Sequence, residues 1–207
     1  MQTTEEMKRE YPGALVIRKT VGLIGRIDRC NPLLEQAKRE AEQEIRQKFK
    51  SLEDYRIRAY QKFYKSLGLD ESHMRSQIKG IIKGKEMPVL STLIDSLVIP
   101  ELKYCILIGG HDKAKVKGEM TACIAGENER YMGIGNRELT IPKGDIIVRD
   151  EESIIASITM GPSERTKLGT DTKQAEILAW TVPGIGKEVA ELALEECEEN
   201  IKRFCSQ

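Results

Sequence analysis

The spacing of apolar residues changes character near Pro88 to Val98, and that change constrains the architecture more than any other feature of the chain. Before it, Leu34, Ala37, Ala41, Ile45 and Phe49, then Tyr55, Ala59, Phe63 and Leu67, recur at helical spacing. After it come short apolar runs closed by Gly or Asp: Tyr104 to Ile108, Met120 to Ala125, Ile146 to Val148, Ile154 to Ile158 and Ile177 to Val182. Such runs suit buried strands. An earlier run, Ala14 to Ile17 continuing through Val21 to Ile24 after Pro12-Gly13, also reads as a strand. A last amphipathic segment follows Gly184 and Gly186, with Val189, Leu192, Cys197, Ile201 and Phe204 on its apolar stripe. Helices, then strands, then one helix predict an α+β fold rather than alternating parallel α/β units. The expected layout is a helical N-terminal portion on a mixed or antiparallel sheet, with a C-terminal helix. Within one domain covering 1–207, the helix-rich part is 31–98, the sheet-rich part 100–182 and the last helix 186–204.

Local signals sharpen some boundaries. Asn31 and Pro32 fit an N-cap and first helical position. Gly68 fits a helix C-terminus, Asp70 or Ser72 can open the next helix toward Lys83, and a short helix is expected over about Leu90 to Val98.

A chain of 207 residues with 40% hydrophobic content can bury one substantial core. No run approaches the roughly 18 apolar residues of a membrane span, and Met1 to Glu10 is polar, so a soluble, cytoplasmic chain with no membrane partner is expected. Cys30, Cys105, Cys123, Cys197 and Cys205 are odd in number and lack any C-x-x-C pair, which argues for reduced thiols. The two histidines, His73 and His111, do not suggest a histidine-rich metal centre; no metal and no cofactor are expected.

The net charge of zero hides segregation. Between Arg46 and Lys85 eleven Lys and Arg face four Asp and Glu, a local excess of seven positive charges, whereas Glu176 to Arg203 carries an excess of four negative ones. The basic stretch is either a solvated helix face or a phosphate-contacting patch.

Three clusters carry ionisable groups beside flexible backbone. Ile108-Gly109-Gly110-His111-Asp112 reads as a strand ending in a glycine turn at a pocket edge, or as a tight turn with a solvated His-Asp pair. Gly126-Glu127 places a carboxylate at a strand end, where it could orient a water. Met160 to Lys167, followed by Gly169 to Thr172, is a polar loop dense in hydroxyls and charges. No G-x-S-x-G elbow, P-loop, G-x-G-x-x-G or H-E-x-x-H is present, and Met132-Gly133-Ile134-Gly135 is only loosely glycine-rich. Any hydrolysis would use a positioned water.

The order of the clusters is more telling than any one of them. Ala59-Tyr60, Phe63 to Leu69, Ile81 to Lys85, Pro88, Asp95, Gly109 to Asp112, Gly126-Glu127, Pro142 to Asp145 with Asp150, and Arg165 to Lys167 with Thr172 together resemble the B3/B4 tRNA-binding domain family. The similarity runs from about Tyr11 to the last helix. This module occurs in the beta subunit of phenylalanyl-tRNA synthetase, where it is an α+β editing domain that removes misattached tyrosine. Free-standing members include deacylases of tRNA carrying a non-protein amino acid such as canavanine.

The resemblance implies an aminoacylated tRNA as partner and hydrolysis of its ester, with docking on a synthetase left open. It implies catalytic roles for Glu127, His111 and Asp112, and a pocket built from Gly109, Gly110, Arg165, Thr166 and Thr172. Arg56, Arg58, Lys62 and Lys65 are the expected tRNA contacts. Thr159-Met160-Gly161-Pro162 departs from the tryptophan-rich stretch of many free-standing members, which leaves the amino acid unassigned. With no class II catalytic domain, the chain is not expected to activate phenylalanine or bind ATP. A non-catalytic tRNA- or RNA-binding module and an amino-acid sensor are the competing readings.

Overall fold

The computed structural model describes residues 1–23 and 31–205; Ile24 and Cys30 lie outside them. The chain opens with β1 (Gln2–Thr3), α1 (Glu5–Glu10) and β2 (Val16–Gly22). Four helices follow: α2 (Pro32–Lys48), α3 (Tyr55–Ser66), α4 (His73–Ile82) and α5 (Thr92–Tyr104). Then come β3 (Leu107–Asp112), a 3-10 turn at Lys113–Lys115, β4 (Thr121–Ile124), β5 (Arg130–Gly133), β6 (Arg137–Thr140), β7 (Ile146–Arg149), β8 (Ile154–Ser157), β9 (Gly161–Pro162), β10 (Gln174–Trp180) and α6 (Lys187–Phe204). The fold is α+β.

The helix boundaries follow from side-chain chemistry. Asn31 Oδ1 accepts from the Leu33 and Leu34 amides, and Pro32 stands where a helix has no N–H to lose. Asp54, Ser72 and Ser91 cap the next three helices in the same way. Gly68 takes φ +78° just past α3, a left-handed position that costs other residues more.

One five-stranded sheet has the order β1-β4-β7-β8-β9, parallel only between β1 and β4. A second, β2-β10-β3, is antiparallel throughout, and β5 with β6 forms a separate hairpin. A buried apolar cluster extends from Met7 to Cys205. Two tyrosines one turn apart tie the helices to both larger sheets. Tyr60 Oη donates to the Trp180 carbonyl of β10 and accepts from the Leu107 amide of β3, at 3.1 Å. Tyr64 Oη donates to the Ile158 carbonyl just beyond β8, at 2.9 Å.

Several boundaries differ from the sequence expectation. The helix expected to end at Val98 continues through Pro100 to Tyr104, so Tyr104 is helical and the strand begins at Leu107. Proline in a helix leaves the carbonyl four residues earlier without its donor; here Asn200 Nδ2 of α6 donates to that Ser96 carbonyl, at 3.4 Å. Gly109 to Asp112 form no turn: they extend β3 and pair with β10 from Leu178 to Ala175. The glycine-rich Met132 to Gly135 segment is the tip of the β5–β6 hairpin. Leu192 is half exposed, so the buried stripe of α6 runs through Ala190, Ala193, Leu194, Cys197, Ile201 and Phe204. No described helix is long and apolar enough to cross a membrane.

Candidate functional site

The two larger sheets meet along a seam, with β3 at the edge of one and β9 at the edge of the other. A cavity of about 180 Å³ opens in this seam. Its inner wall is Leu107, Ile108 and Gly109 of β3 with Trp180 of β10. The facing wall is Ala156, Ser157, Ile158, Met160, Gly161 and Pro162; His73 and Gln77 of α4 and Glu101 of α5 complete it.

The facing wall is held from behind. Asp145, fully buried, accepts hydrogen bonds from the Ser157 and Thr159 hydroxyls. Burial pushes its carboxyl up to about 6 despite those donors. Ser157 Oγ in turn accepts from the Thr159 and Met160 amides, at 3.2 and 3.0 Å, and Tyr131 Oη donates to the Gly161 carbonyl at 2.6 Å.

Two ionisable side chains reach the cavity. His73 is exposed at the rim, and its Nε2 lies 2.8 Å from the Thr159 carbonyl. A carbonyl only accepts, so the neutral ring carries its proton on Nε2 and keeps Nδ1 as an acceptor. Glu101 is half-buried and packed closely enough that lost hydration pushes its carboxyl up to about 7, against donation from the Ile108 amide and the Gln77 side chain. Glu101 Oε2 lies 3.2 Å from the Ile108 nitrogen.

The residues singled out by sequence fall into three places. Gly109 lines the cavity, where an added Cβ would stand 3.6 Å from Trp180 Nε1. Gly110 faces the other way, against Leu168 and Leu97, with an added Cβ only 2.4 and 3.0 Å from their methyl groups. The amides of Ile108 and Asp112 both point away from β10, toward Glu101 and the Thr166 carbonyl; by ladder alternation the Gly110 amide points to the same edge.

His111, Asp112, Arg165, Thr166 and Thr172 do come together, as a latch that fastens the late loop to β3 outside the cavity lining. His111 Nδ1 lies 2.8 Å from Thr166 Oγ1, which contacts Ser163 Oγ at 2.8 Å. Asp112 accepts from Thr172 Oγ1 at 3.1 Å and pairs with Lys115 at 3.4 Å. Arg165 Nη2 reaches both oxygens of Asp150 at 2.7 Å. Burial alone would raise the Asp150 carboxyl, but Arg165 and the amides of Lys117, Ser153 and Glu152 hold it down to about 2. Full burial pushes His111 down to about 4, so it sits neutral, with no partner for Nε2.

Glu127 stands apart. Its carboxylate is exposed on the loop after β4, paired with Lys143 at 2.7 Å, and that lysine holds it below the usual carboxylate range. Of the basic residues on α3, Arg56 is buried, forked onto Asp54 and bonded to the Tyr104 carbonyl at 2.9 Å. Arg58, Lys62 and Lys65 are exposed, Arg58 within 3.7 Å of Glu53. His73, Gln77, Glu101 and Trp180 carry no sequence signal as site residues; they come from three elements, α4, α5 and β10, and no local motif joins them. No described group of three or more His, Cys, Asp or Glu could hold a metal ion.

Two layered sheets, a helical flank and a seam cavity define an α+β binding module, and the family model described as "B3/4 domain" matches it over residues 59–205; the chain belongs to this family. It is similar to the phenylalanine--tRNA ligase beta subunit of Mycoplasma pneumoniae, 27% identical over 120 residues, which is 56% of this chain and 15% of that protein. The corresponding subunit of Mycoplasma genitalium is 25% identical over 127 residues, 61% of this chain and 14% of that protein. The chain therefore spans about one seventh of the curated relatives it matches. In structure it resembles an N-terminal fragment of the phenylalanyl-tRNA synthetase beta subunit from Pyrococcus horikoshii, with a TM-score of 0.56 and 16% identity, covering 98% of this chain and 48% of that one. That likeness shows the fold.

Proposed function

We propose that this chain binds aminoacylated tRNA and hydrolyses the ester between the amino acid and the terminal ribose, with the acyl group held in the seam cavity. The observation that carries this reading is the cavity itself: apolar within, about 180 Å³, and rimmed by an imidazole whose free acceptor is fixed on Nδ1. Its volume is below the roughly 300–1,000 Å³ of drug-sized sites, which suits an amino-acid side chain better than a whole nucleotide. Membership of the B3/4 family and similarity to tRNA ligase subunits support tRNA as the carrier.

In this reading water attacks the ester carbonyl while His73 Nδ1 takes its proton. The Gly110 amide points to the outer edge of β3 but lies outside the cavity lining, so the reading assigns it no role. Collapse of the tetrahedral species breaks the acyl–oxygen bond, and the ribose oxygen leaves with the proton that His73 held. Lys62 and Lys65 offer exposed ammonium groups to tRNA phosphates, whereas Arg56 is committed to Asp54. Glu127 lies outside the cavity lining, so the reading does not use it.

The test is release of amino acid from a panel of charged tRNAs by wild type and His73→Ala. Selective release that falls at least roughly 100-fold in the variant supports the hydrolase, since a positioned acid–base group typically contributes 10²–10⁴-fold. Binding of tRNA without release from any member would leave a binding module.

A further inference from the structure

A second cavity, of about 270 Å³, lies on another face of α3 and shares no residue with the seam cavity. Its floor is the stripe that Ala59, Lys62, Phe63 and Ser66 form at helical spacing. Its walls are two turns of one kind, far apart in sequence. Tyr11-Pro12-Gly13-Ala14 closes with the Ala14 amide on the Tyr11 carbonyl at 3.0 Å, and Val182-Pro183-Gly184-Ile185 closes with the Ile185 amide on the Val182 carbonyl at 3.1 Å. Gly13 and Gly184 take φ +80° and +94°, so both turns have the Pro-Gly order and positive second φ of type II. Each presents an exposed proline to the cavity.

Tyr11 stands edge-on to Phe63, with ring centroids 5.2 Å apart and planes at 72°. Its Oη donates to the Gly144 carbonyl at 2.7 Å, which fixes the ring, and it is the more exposed of the two. A flat group entering between the prolines meets aromatic surface already in place, so little ordering is paid on binding. At the rim Lys62 is exposed, as is Lys65 one turn further on. Among the described residues neither meets a carboxylate within 4.0 Å, whereas Arg56 and Arg58 of the same helix pair with Asp54 and Glu53. Glu10 also lines the cavity, and a carboxylate that only accepts suits an exocyclic amino group.

We infer that this second cavity holds one unpaired base of a bound RNA, stacked on Tyr11 between Pro12 and Pro183, with the phosphates beside that base on Lys62 and Lys65. Aromatic rings accept any base by its face, and neighbouring lysines take the backbone; single-stranded RNA sites combine these two features. An apolar peptide would use the walls and leave both ammonium groups idle. The acylated end stays in the seam, so the base held here belongs to another part of the RNA. RNA as the partner rests on the reading above; the stacking site is a property of this cavity alone.

Titration of the full chain with a five-nucleotide adenosine RNA, and with its counterpart of abasic riboses, isolates the base, because both carry the same phosphates. Wild type is expected to favour the base-bearing RNA by roughly 5–150-fold, the range for one base stacked on an aromatic side chain. Tyr11→Leu should remove that preference, Tyr11→Phe should keep it, and Lys62→Ala should weaken both RNAs alike. The same pentamer with a central 4-thiouridine, irradiated with wild type, should crosslink to Tyr11, Pro12 or Phe63, a readout that needs no variant to fold. Equal affinities of wild type for the two RNAs, binding of neither, a preference that survives Tyr11→Leu in a folded variant, or crosslinks confined to other surfaces would overturn the inference. The charged-tRNA panel keeps the two claims apart. Release of amino acid without a Tyr11-dependent base preference would sink the inference and keep the hydrolase; the preference with no release would do the reverse.

Discussion

Tyr60 and Tyr64, one turn apart on α3, each reach a different sheet: Tyr60 bonds the Trp180 carbonyl and the Leu107 amide, and Tyr64 bonds the Ile158 carbonyl. Both hydroxyls are held at the cavity walls, so α3 sets the width of the seam. Tyr64→Phe leaves one buried carbonyl unanswered and is expected to cost ~1–2 kcal/mol in urea unfolding; Tyr60→Phe leaves two groups unanswered and should cost ~2–4 kcal/mol. If both variants matched wild type, the seam would be set by packing alone.

Gly109 and Gly110 are adjacent, yet they should respond in opposite ways to an added methyl. Gly110→Ala drives a Cβ into Leu168 and Leu97 and is expected to lose ~1–3 kcal/mol of stability. Gly109→Ala makes an ordinary contact with Trp180, so its melting temperature should stay within about 2 °C while ligand affinity falls, because the methyl occupies the cavity. Calorimetry of both variants checks the pair.

His111 gives the protein an acid-sensitive element. Its folded-state value is depressed to about 4, so the stabilisation is complete above the unfolded value near 6.5 and is lost as pH falls from there toward 4. Asp150, depressed to about 2, adds a loss that begins only below the unfolded carboxylate value near 4. His111→Asn, which retains a polar atom near Thr166 but does not titrate, should remove ~2–3 kcal/mol of the pH 7 to pH 4 difference in unfolding free energy. A denaturant series at four pH values measures it.

Glu127→Ala removes an exposed pair with Lys143 and should leave both stability and amino-acid release within about twofold of wild type. A large loss of release would move the reaction centre to the loop after β4.

Lys62→Ala and Lys65→Ala should each weaken tRNA binding uniformly across sequences and reduce the salt slope by about one, as loss of a phosphate contact does. An unchanged slope would place the RNA elsewhere on the surface.

Local chemistry made parts of the fold legible. Asn31-Pro32 and Gly68 mark helix ends because capping needs only neighbouring residues. The end of α5 differs from the expected Val98 for the opposite reason: the helix continues past Pro100, where the freed Ser96 carbonyl accepts from Asn200, a partner more than a hundred residues away. The Gly109-Gly110 pair reads as a turn in isolation, whereas pairing with β10 and the tight approach of Leu168 and Leu97 make it a strand. Spacing drew attention to His111, Asp112, Arg165, Thr166 and Thr172, and the structure gathers them as a latch. The cavity's His73, Glu101 and Trp180 are joined only by the meeting of two sheets, which no local pattern encodes.

The Asn200 bond to the Ser96 carbonyl also orders events during synthesis. α5 leaves the ribosome long before α6 exists, and its proline keeps the first turns from being self-sufficient. The same delay applies to β10, which must thread between β2 and β3 from late in the chain. Until β10 is made, the edges of β2 and β3 that it pairs with have no partner in the chain, so the central strand of that sheet depends on one of the last segments to be synthesised.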